Sequence, residues 1–241
     1  MRYAIEVRGL TKSYRGKTAV NGLDLTVKEG TVFGLLGANG AGKSTVIECI
    51  LGTRRRDSGS VSILGMDPKE ERRRLFQMVG VQFQEGDYQN EIRVGELCEE
   101  TACLYQHPAD WRALLHRFGI GDRTGQPVKS LSGGERQRLF IVLALLPKPK
   151  VVFLDELTTG LDARARRGVW KVLEELKRQG LTIFLTSHFM DEVEALCDEI
   201  CILKKGVPVF HGTVVQANQQ CGCDQFEDAY LMLSDEVAEW G

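Results

Sequence analysis

The sequence predicts an α/β fold with a mainly parallel sheet, and three observations support that prediction. Short apolar segments typical of strands alternate with segments of helical period along most of the chain. A glycine-rich loop over residues 37–45 joins one of these strands to the helix that follows it. Residues from about 86 to 147 have helical patterns and no strand pattern, which predicts an inserted helical block. We expect the chain to form a single domain, 1–241, with a C-terminal tail over about 213–241.

The first elements are predicted strands within residues 3–36. Residues 3–7 and 23–27 alternate apolar with polar side chains, which is the period of a strand with one buried face. Thr31–Leu36 is instead a compact apolar run between glycines, as expected of a strand buried on both faces.

The remaining elements follow from the same two periods. Helices are predicted over Lys43–Leu51, Glu70–Gln77, Val94–Tyr105, Ala109–Phe118, 169–176 and Met190–Cys197. Strands are predicted over 61–65, Val79–Phe83, Val151–Leu154, Leu181–Thr186 and Ile200–Leu203. Residues 213–225 match neither pattern clearly.

Composition and charge exclude several classes of protein. The net charge is −2 and the basic runs are short, so no nucleic-acid partner is expected. The longest apolar run, Phe140–Leu146, is seven residues, whereas a membrane-spanning helix needs roughly 20. The N-terminus has no apolar signal segment, so the seven cysteines are expected to be reduced thiols. Cys221 and Cys223 form a single C-x-C motif with no second pair of ligands, so they do not predict a structural zinc site.

The glycine-rich loop is the strongest functional motif. It fits the pattern G-x-x-x-x-G-K-[ST] and lies between a predicted strand and a predicted helix. In such a loop, backbone N–H groups and the helix N-terminus face a nucleotide phosphate. The lysine neutralises the β- and γ-phosphates and the serine hydroxyl binds Mg²⁺. The residues are Gly37, Ala38, Asn39, Gly40, Ala41, Gly42, Lys43, Ser44 and Thr45.

The second motif, Val151–Glu156, is an apolar strand that ends in two carboxylates. Parallel sheets bind ligands at the carboxyl ends of their strands, so both side chains are expected beside the phosphate loop. Asp155 is the candidate ligand for Mg²⁺ or its water, and Glu156 is the candidate base for the attacking water.

The third motif is Leu131–Arg138, which directly precedes a predicted helix ending near Leu145. Ser132 and Glu135 have the spacing of a capping box, which is a purely structural explanation. A cap does not require Gly133 and Gly134, whereas close approach of backbone N–H groups to an anion does. The segment is therefore a second candidate phosphate site.

Two single residues complete the set. His188 follows the buried strand Leu181–Thr186, at the sheet edge where the other phosphate-binding groups are expected, and is a candidate γ-phosphate contact. Gln84 ends the strand Val79–Phe83 and is a candidate contact to Mg²⁺ or the attacking water, although a surface glutamine is the alternative.

With these motifs in this order, the chain resembles the nucleotide-binding subunits of ABC transporters. The resemblance covers nearly the whole chain, and the third motif, Leu131–Arg138, is close to diagnostic of the ABC superfamily. It makes residues 37–45 the Walker A loop, Gln84 the Q-loop, residues 131–138 the signature, residues 151–156 the Walker B strand, Gly160–Asp162 the D-loop and His188 the switch histidine. Tyr14 falls where the family places an aromatic side chain that stacks on adenine.

The resemblance implies an α/β P-loop NTPase core with an N-terminal antiparallel β subdomain and an inserted helical subdomain. It implies ATP and Mg²⁺ as ligands, with Lys43, Gln84, Glu156 and His188 in catalysis and Asp162 near the nucleotide. It also implies a head-to-tail dimer, with an identical or a different second subunit, in which the Walker A loop of one subunit and the signature of the other close on one ATP. A separate integral-membrane permease would hold the chain at the inner face of the cell membrane, in the cytoplasm.

One departure and one similarity refine the class. Leu157 stands where many members have proline after the catalytic glutamate, and this is familiar in a branch that exports drugs or antibiotics with ABC-2-type permeases. The tail 226–233 is similar to that branch. Two alternatives stay open: a soluble ABC ATPase in assembly, such as iron–sulphur assembly, or in nucleic-acid work, and a nucleotide-gated regulatory subunit with little turnover.

Overall fold

The structure is a computed structural model that describes residues 2–83, 88–89 and 91–234. The strands are β1 (Tyr3–Tyr14), β2 (Lys17–Lys28), β3 (Val32–Leu36), β4 (Ser58–Ile63), β5 (Val79–Gln82), β6 (Val151–Leu154), β7 (Thr182–Thr186), β8 (Glu199–Lys204) and β9 (Val207–Gly212). The helices are α1 (Lys43–Ile50), α2 (Arg72–Leu75), α3 (Val94–Ala102), α4 (Trp111–Arg117), α5 (Gly133–Leu145), α6 (Ala163–Arg178), α7 (Met190–Leu196), α8 (Val214–Cys221) and α9 (Phe226–Ser234).

The central sheet confirms the predicted mainly parallel core. Its strand order is β5-β6-β7-β3-β8-β9, and only β9 pairs antiparallel. Both faces are buried, because Phe153 and Phe184 pack on one side of the sheet while Val152 and Ile183 pack on the other. The carboxyl ends of β3, β6 and β7 are therefore adjacent, and the loops that follow these strands carry the site.

A second sheet is formed by the N-terminal part of the chain. Its order is β2-β1-β4 and both pairings are antiparallel. Its inner face, which includes Ile5 and Leu25, shares one apolar core with α1 and with Phe33 of the central sheet. This packing brings the β1–β2 hairpin close to the N-terminus of α1, since Gly206 joins the two regions through hydrogen bonds to Asn21 and Ala41.

Helices α3, α4 and α5 lie between β5 and β6 in the chain and form the predicted helical block. Trp111, Leu115 and Leu139 share a core with the other face of the central sheet. The helices are shorter than predicted: α3 ends at Ala102 instead of Tyr105, and α4 begins at Trp111 because the Asp110 side chain accepts hydrogen bonds from the first turn. Helix α2 likewise spans only Arg72–Leu75.

The C-terminal region is where the structure differs most from the elements that the sequence predicts. Strand β9 was not predicted; it follows a tight turn in which Lys205 and Gly206 both have positive φ, 50° and 80°. Within residues 213–225, which matched no pattern, α8 begins at a capping box formed by Thr213 and Gln216. Within the described ranges, none of the helices combines the length and the apolarity needed to span a bilayer.

Candidate functional site

The loop after β3 has the backbone of a phosphate-binding loop. Gly40 and Gly42 have φ of 79° and 106°, in the region that L-residues with side chains rarely adopt. A Cβ on Gly42 would lie 2.5 Å from the carbonyl oxygen of Ala19, so glycine is required there twice over. Gly42 is also the N-cap of α1, and because it is a glycine it brings no side chain into the space in front of the first helical turn. That space suits an anion.

Lys43 is the first residue of α1 and is 92% buried, with a relative exposure of 8%. Its Nζ donates to the carbonyl oxygens of Gly37 at 2.6 Å and Ala38 at 3.2 Å. The ammonium group is therefore held inside the curl of the loop, where a phosphate would meet its charge without competition from bulk water.

Asp155 follows β6 and is 7% exposed. Its Oδ1 accepts a 2.5 Å hydrogen bond from Thr186 Oγ1, the last residue of β7. Burial raises the pKa of Asp155 above its ordinary value, and the neighbouring Glu156 charge adds to this, while the Thr186 hydrogen bond and Lys43 oppose it. A buried carboxylate that is destabilised in this way gains from a cation placed beside it.

Glu156 is held in an unusual conformation. Its φ is 51°, a left-handed value for a non-glycine residue. Its backbone N–H donates to Thr186 Oγ1 at 2.9 Å, so one threonine hydroxyl fixes both carboxylate residues. Gln137 of α5 donates to the carbonyl oxygens of Glu156 and Leu157 at 3.2 and 2.8 Å. Strain of this kind, held by several partners, is typical of functional sites.

His188 lies close to Glu156, and its predicted contact with the γ-phosphate stays a prediction. Its Nε2 is 3.3 Å from Glu156 Oε1, and the two side chains are 37% and 18% exposed. An imidazole and a carboxylate at this distance can share a hydrogen bond directly, and a carboxylate beside a phosphate-binding loop can accept a proton from a water molecule.

A cavity of about 1010 Å³ is lined by the phosphate-binding loop and by both carboxylates, whereas His188 is not among its described lining residues. Predicted residues on its wall are Tyr14, Asn39, Gly40, Gly42, Lys43, Ser44, Thr45, Asp155 and Glu156. Four residues that the sequence reading missed also line it: Lys17, Thr18 and Ala19 from the β1–β2 hairpin, and Lys205 from the β8–β9 turn. Tyr14 is 37% exposed on the cavity wall, and its stacking on adenine stays a prediction.

The signature segment lies elsewhere. None of Ser132, Gly133 and Gly134 is among the described residues that line this cavity. Ser132 caps α5, with Glu135 N donating to its Oγ at 3.2 Å, so the capping box predicted as a structural alternative is present. Gly133 instead lines a smaller cavity of about 200 Å³ beside Asp155 and Glu156.

The two signature glycines have different surroundings. A Cβ on Gly134 would lie 3.2 Å from the carbonyl oxygen of Gly160 and 3.1 Å from Leu161 Cδ2, so packing within the chain explains this glycine. A Cβ on Gly133 would meet no described atom within 4 Å. Asp162 is the last residue of the D-loop, Gly160–Asp162, and caps α6 by accepting a hydrogen bond from the backbone N–H of Ala165 at 2.8 Å. Gln84 lies outside the described residues, so its predicted role stays untested.

This fold and this cavity define a nucleoside triphosphate-binding protein of the P-loop class. The comparisons narrow the class further: the sequence profile of the family described as "ABC transporter" matches residues 20–159. The chain belongs to this family, which confirms the predicted resemblance and the predicted ATP-binding, ATP-hydrolysing subunit.

Two curated relatives cover most of the chain. The "Nod factor export ATP-binding protein I" of Ralstonia nicotianae is 36% identical over 92% of this chain and 71% of its own length. The "Daunorubicin/doxorubicin resistance ATP-binding protein DrrA" of Streptomyces peucetius is 37% identical over 91% of this chain and 68% of its own length. These relatives favour a transporter subunit over the alternatives in assembly or nucleic-acid work.

Solved structures agree with the fold. The chain superposes on an "ATP binding subunit of ABC transporter" with a TM-score of 0.88 and 26% identity, covering 96% of this chain and 99% of that one. It also superposes on cbiO1 of Clostridium perfringens, "part of the ABC transporter complex cbiONQ", with a TM-score of 0.77 and 27% identity, again covering 96% and 99%. ATP-binding subunits of the family thus work with further transporter components.

Proposed function

We propose that this chain binds Mg-ATP between two head-to-tail copies and couples its hydrolysis to a separate membrane permease that exports small molecules. The observation that carries the proposal is the separation of the two phosphate-binding segments. The Walker A loop lines the large cavity with Asp155 and Glu156, whereas Gly133 of the signature is not among the described residues of that cavity, and a Cβ on Gly133 would meet no described atom within 4 Å. A glycine in that position allows a phosphate to approach the backbone closely, and a second copy of the chain supplies that phosphate from the ATP bound to its own Walker A loop.

Mg²⁺ fits the residues at the cavity wall. Ser44 offers an exposed hydroxyl and Asp155 a buried carboxylate, and oxygen ligands of this kind are those that Mg²⁺ takes beside substrate phosphates. When bound, the ion neutralises charge on the β- and γ-phosphates. The predicted contribution of Gln84 belongs to the same proposal.

The chain's own residues have distinct roles in hydrolysis. Lys43, held in the loop by two carbonyl oxygens, stabilises negative charge on the phosphates. Glu156 accepts the proton of the attacking water, and His188, 3.3 Å away, contacts the γ-phosphate and keeps the glutamate aimed at that water. Tyr14, on the wall of the same cavity, stacks on adenine.

The signature supports the dimer, because Ser132, Gly133 and Gly134 are not among the described residues that line the nucleotide cavity of their own chain. Ser132 and Gly133 present the N-terminus of α5, which favours an anion. In a head-to-tail pair this end faces the γ-phosphate held by the partner's Walker A loop, and Asp162 lies near the contact. Closure on ATP and reopening after hydrolysis is a ligand-driven shift between two states.

We place the permease at a groove between the core and the helical block. This groove, about 910 Å³, lies between α2 and the loop 103–107. Leu104 is 70% exposed there, and Gln77 of the core bonds the block through Leu104 O at 3.0 Å and Gln106 N at 2.9 Å. A partner seated on both sides of this junction senses any rotation of the block against the core.

Domain organisation and location complete the proposal. Residues 1–241 act as one ATPase domain in which about 86–147 form the signature-bearing helical subdomain and about 213–241 the tail. The permease holds this domain at the cytoplasmic face of the cell membrane. Export, with a drug or another small molecule as substrate, is carried over from what the names of the relatives say of those proteins.

The decisive experiment traps the closed pair. Glu156→Gln keeps the size of the side chain and removes the base, so the purified variant is expected to bind ATP, stop turning over and migrate at twice the wild-type mass in gel filtration. The matched control adds Lys43→Ala, which removes the main phosphate contact and is expected to restore the single-copy mass.

Two outcomes contradict the proposal. Hydrolysis by Glu156→Gln at the wild-type rate excludes Glu156 as the base. A nucleotide-saturated variant that stays at single-copy mass excludes the paired site.

The groove is tested separately. Leu104→Asp is expected to abolish co-purification of an integral-membrane protein with the tagged chain. Val215→Asp, at an apolar residue that is 63% exposed and lies outside the groove, is expected to leave the co-purification intact.

A further inference from the structure

Three sulfur-bearing side chains lie together where α8 meets α9. They are Cys221 and Cys223, which form the C-x-C motif of the sequence, and Met232. The Sγ atom of Cys223 lies 3.5 Å from the Sδ atom of Met232. None of the three is among the described residues that line the nucleotide cavity, and the proposed ATPase mechanism does not use them. Two thiols and a thioether in one place are a set of donors that suits a soft metal ion.

The end of α8 turns both cysteines towards α9. Gly222, the C-cap residue, has a φ of 68° and a ψ of 29°, the left-handed conformation that glycine adopts with least strain. The backbone N–H of Cys223 then donates to the carbonyl oxygen of Asn218 at 3.0 Å, which closes the helix end. This reversal brings the thiol of Cys223 back to 3.7 Å from the carbonyl oxygen of Cys221.

One stretch of α9 faces both thiols. The Sγ atom of Cys221 lies 3.8 Å from the carbonyl oxygen of Ala229, while the Sγ atom of Cys223 contacts Met232. Residues three apart share one face of a helix, and a helical carbonyl group points along the axis towards the turn that follows it. The carbonyl group of Ala229 and the side chain of Met232 therefore border the same space, and the two thiols reach that space from α8.

The spacing and the surroundings of the sulfur atoms suit one bound ion. A bond between a metal ion and a thiolate is about 2.3 Å long, so a single ion can reach two sulfur atoms that are 3.5 Å apart. Both cysteines are half-buried and pack against the apolar cluster that contains Phe226. Met232 is 54% exposed, so the same space is open to solvent on its side and an ion can enter there.

The donors and the local charge favour a soft cation. Thiolate and thioether ligands select Cu(I), whereas a structural zinc ion takes four ligands from cysteine, histidine and carboxylate side chains. Within the described part of the chain, no three His, Cys, Asp or Glu side chains are grouped to hold a metal ion, and the third donor here is Met232. Residues 213–234 carry the carboxylates of Asp224, Glu227 and Asp228 and no Lys, Arg or His, which favours a cation at this end of the chain.

We propose that Cys221, Cys223 and Met232 form a binding site for a single Cu(I) ion. Binding forms two copper–thiolate bonds and one copper–thioether bond, and it releases the two thiol protons to water. The oxidation state of the copper does not change. The bound ion joins the end of α8 to α9. This inference goes beyond the proposed function, since no residue of the ATP site takes part in it.

The test uses the purified full chain, reduced and kept free of oxygen, in competition with the coloured Cu(I) chelator bicinchoninate. Wild type is expected to take a single Cu(I) per chain from the chelator. Cys221→Ser and Cys223→Ser are each expected to weaken Cu(I) binding about 100-fold or more, because even the loss of a group that only supports a ligand costs about 10–100-fold. Met232→Leu keeps an apolar side chain of similar size and is expected to weaken binding about 10-fold.

Cys103→Ser, at an exposed cysteine outside this cluster, is the matched control and should bind Cu(I) within about twofold of wild type. Circular dichroism of the copper-free variants checks that each is folded. Met232→Leu, at a largely exposed residue, still tests the site if a cysteine variant fails to fold.

Three results would overturn the proposal: wild type takes no Cu(I) from the chelator, Met232→Leu or a folded cysteine variant binds Cu(I) as tightly as wild type, or an equal concentration of Zn²⁺ displaces the copper. Failure of the proposed function is a separate result, in which ATP hydrolysis is absent while the copper titration is unchanged.

Discussion

Thr186 offers the sharpest test of how the site is held together. The residue is fully buried at the end of β7, and its hydroxyl makes two hydrogen bonds. It donates to Asp155 Oδ1 at 2.5 Å and accepts from the backbone N–H of Glu156 at 2.9 Å. Thr186→Val removes the hydroxyl at nearly constant size, so it leaves both partners without this group and creates no cavity.

The expected loss follows from these two bonds. A hydrogen bond to a charged group contributes about 1.5–3 kcal/mol, and a buried N–H left without a partner costs about 1–3 kcal/mol. Asp155 keeps a 7% exposed surface, which lets water compensate in part. We therefore expect Thr186→Val to lower the free energy of unfolding by about 3 kcal/mol.

Urea unfolding with linear extrapolation measures this difference. Thr186→Ser, which retains the hydroxyl and removes only a methyl group, is the control and is expected to lose about 1 kcal/mol. A Thr186→Val protein within about 1 kcal/mol of wild type would mean that the hydroxyl does not hold the two carboxylate residues.

The remaining predictions concern the loop, acid stability and metal binding. Gly42→Ala is expected to lower the free energy of unfolding by about 2 kcal/mol and to abolish ATP binding, because the new Cβ would lie 2.5 Å from the carbonyl oxygen of Ala19 and the residue has a φ of 106°. Calorimetry measures the stability and the ATP binding. The control, Gly125→Ala, has space for a Cβ and should change neither quantity. Ser132, the N-cap of α5, donates hydrogen bonds to the Glu135 carboxylate from its backbone N–H and from its hydroxyl, and these bonds hold the pKa of Glu135 at about 2. This group therefore stabilises the fold above its ordinary pKa of 4.5, and the stability is lost as pH falls from there towards about 2; thermal unfolding across that range should be flatter for Glu135→Gln. Since burial raises the pKa of Asp155, the advantage in Mg²⁺ affinity of wild type over Asp155→Asn, measured at fixed ATP, should be lost as pH falls and should begin to fall above the ordinary pKa of 3.8. An advantage that stays constant as pH falls would contradict this, and the comparison removes the titration of ATP itself.

Much of the core was predictable because its signals are local. The strand Val151–Leu154 is apolar at every position, and the loop at Gly42 needs glycine for reasons that its own backbone imposes. Family membership was predictable from the order of the motifs, above all the signature. The capping box of Thr213 and Gln216 was also readable, and a search for that spacing would have placed α8.

Other parts of the site depend on packing that no local pattern encodes. Lys17 reaches the cavity because the β1–β2 hairpin packs against the N-terminus of α1, and the register of two sheets decides that. Lys205 arrives through the turn before β9.

The left-handed backbone of Glu156 has a consequence for evolution and for protein engineering. Glycine or asparagine accepts φ near 51° with less strain than glutamate, which pays about 1 kcal/mol or more for it. A chain that has lost catalysis through such a replacement would survive heating better than the working enzyme. Thermal selection alone would thus drift towards inert copies, so screens for robust variants of this protein must score turnover alongside melting.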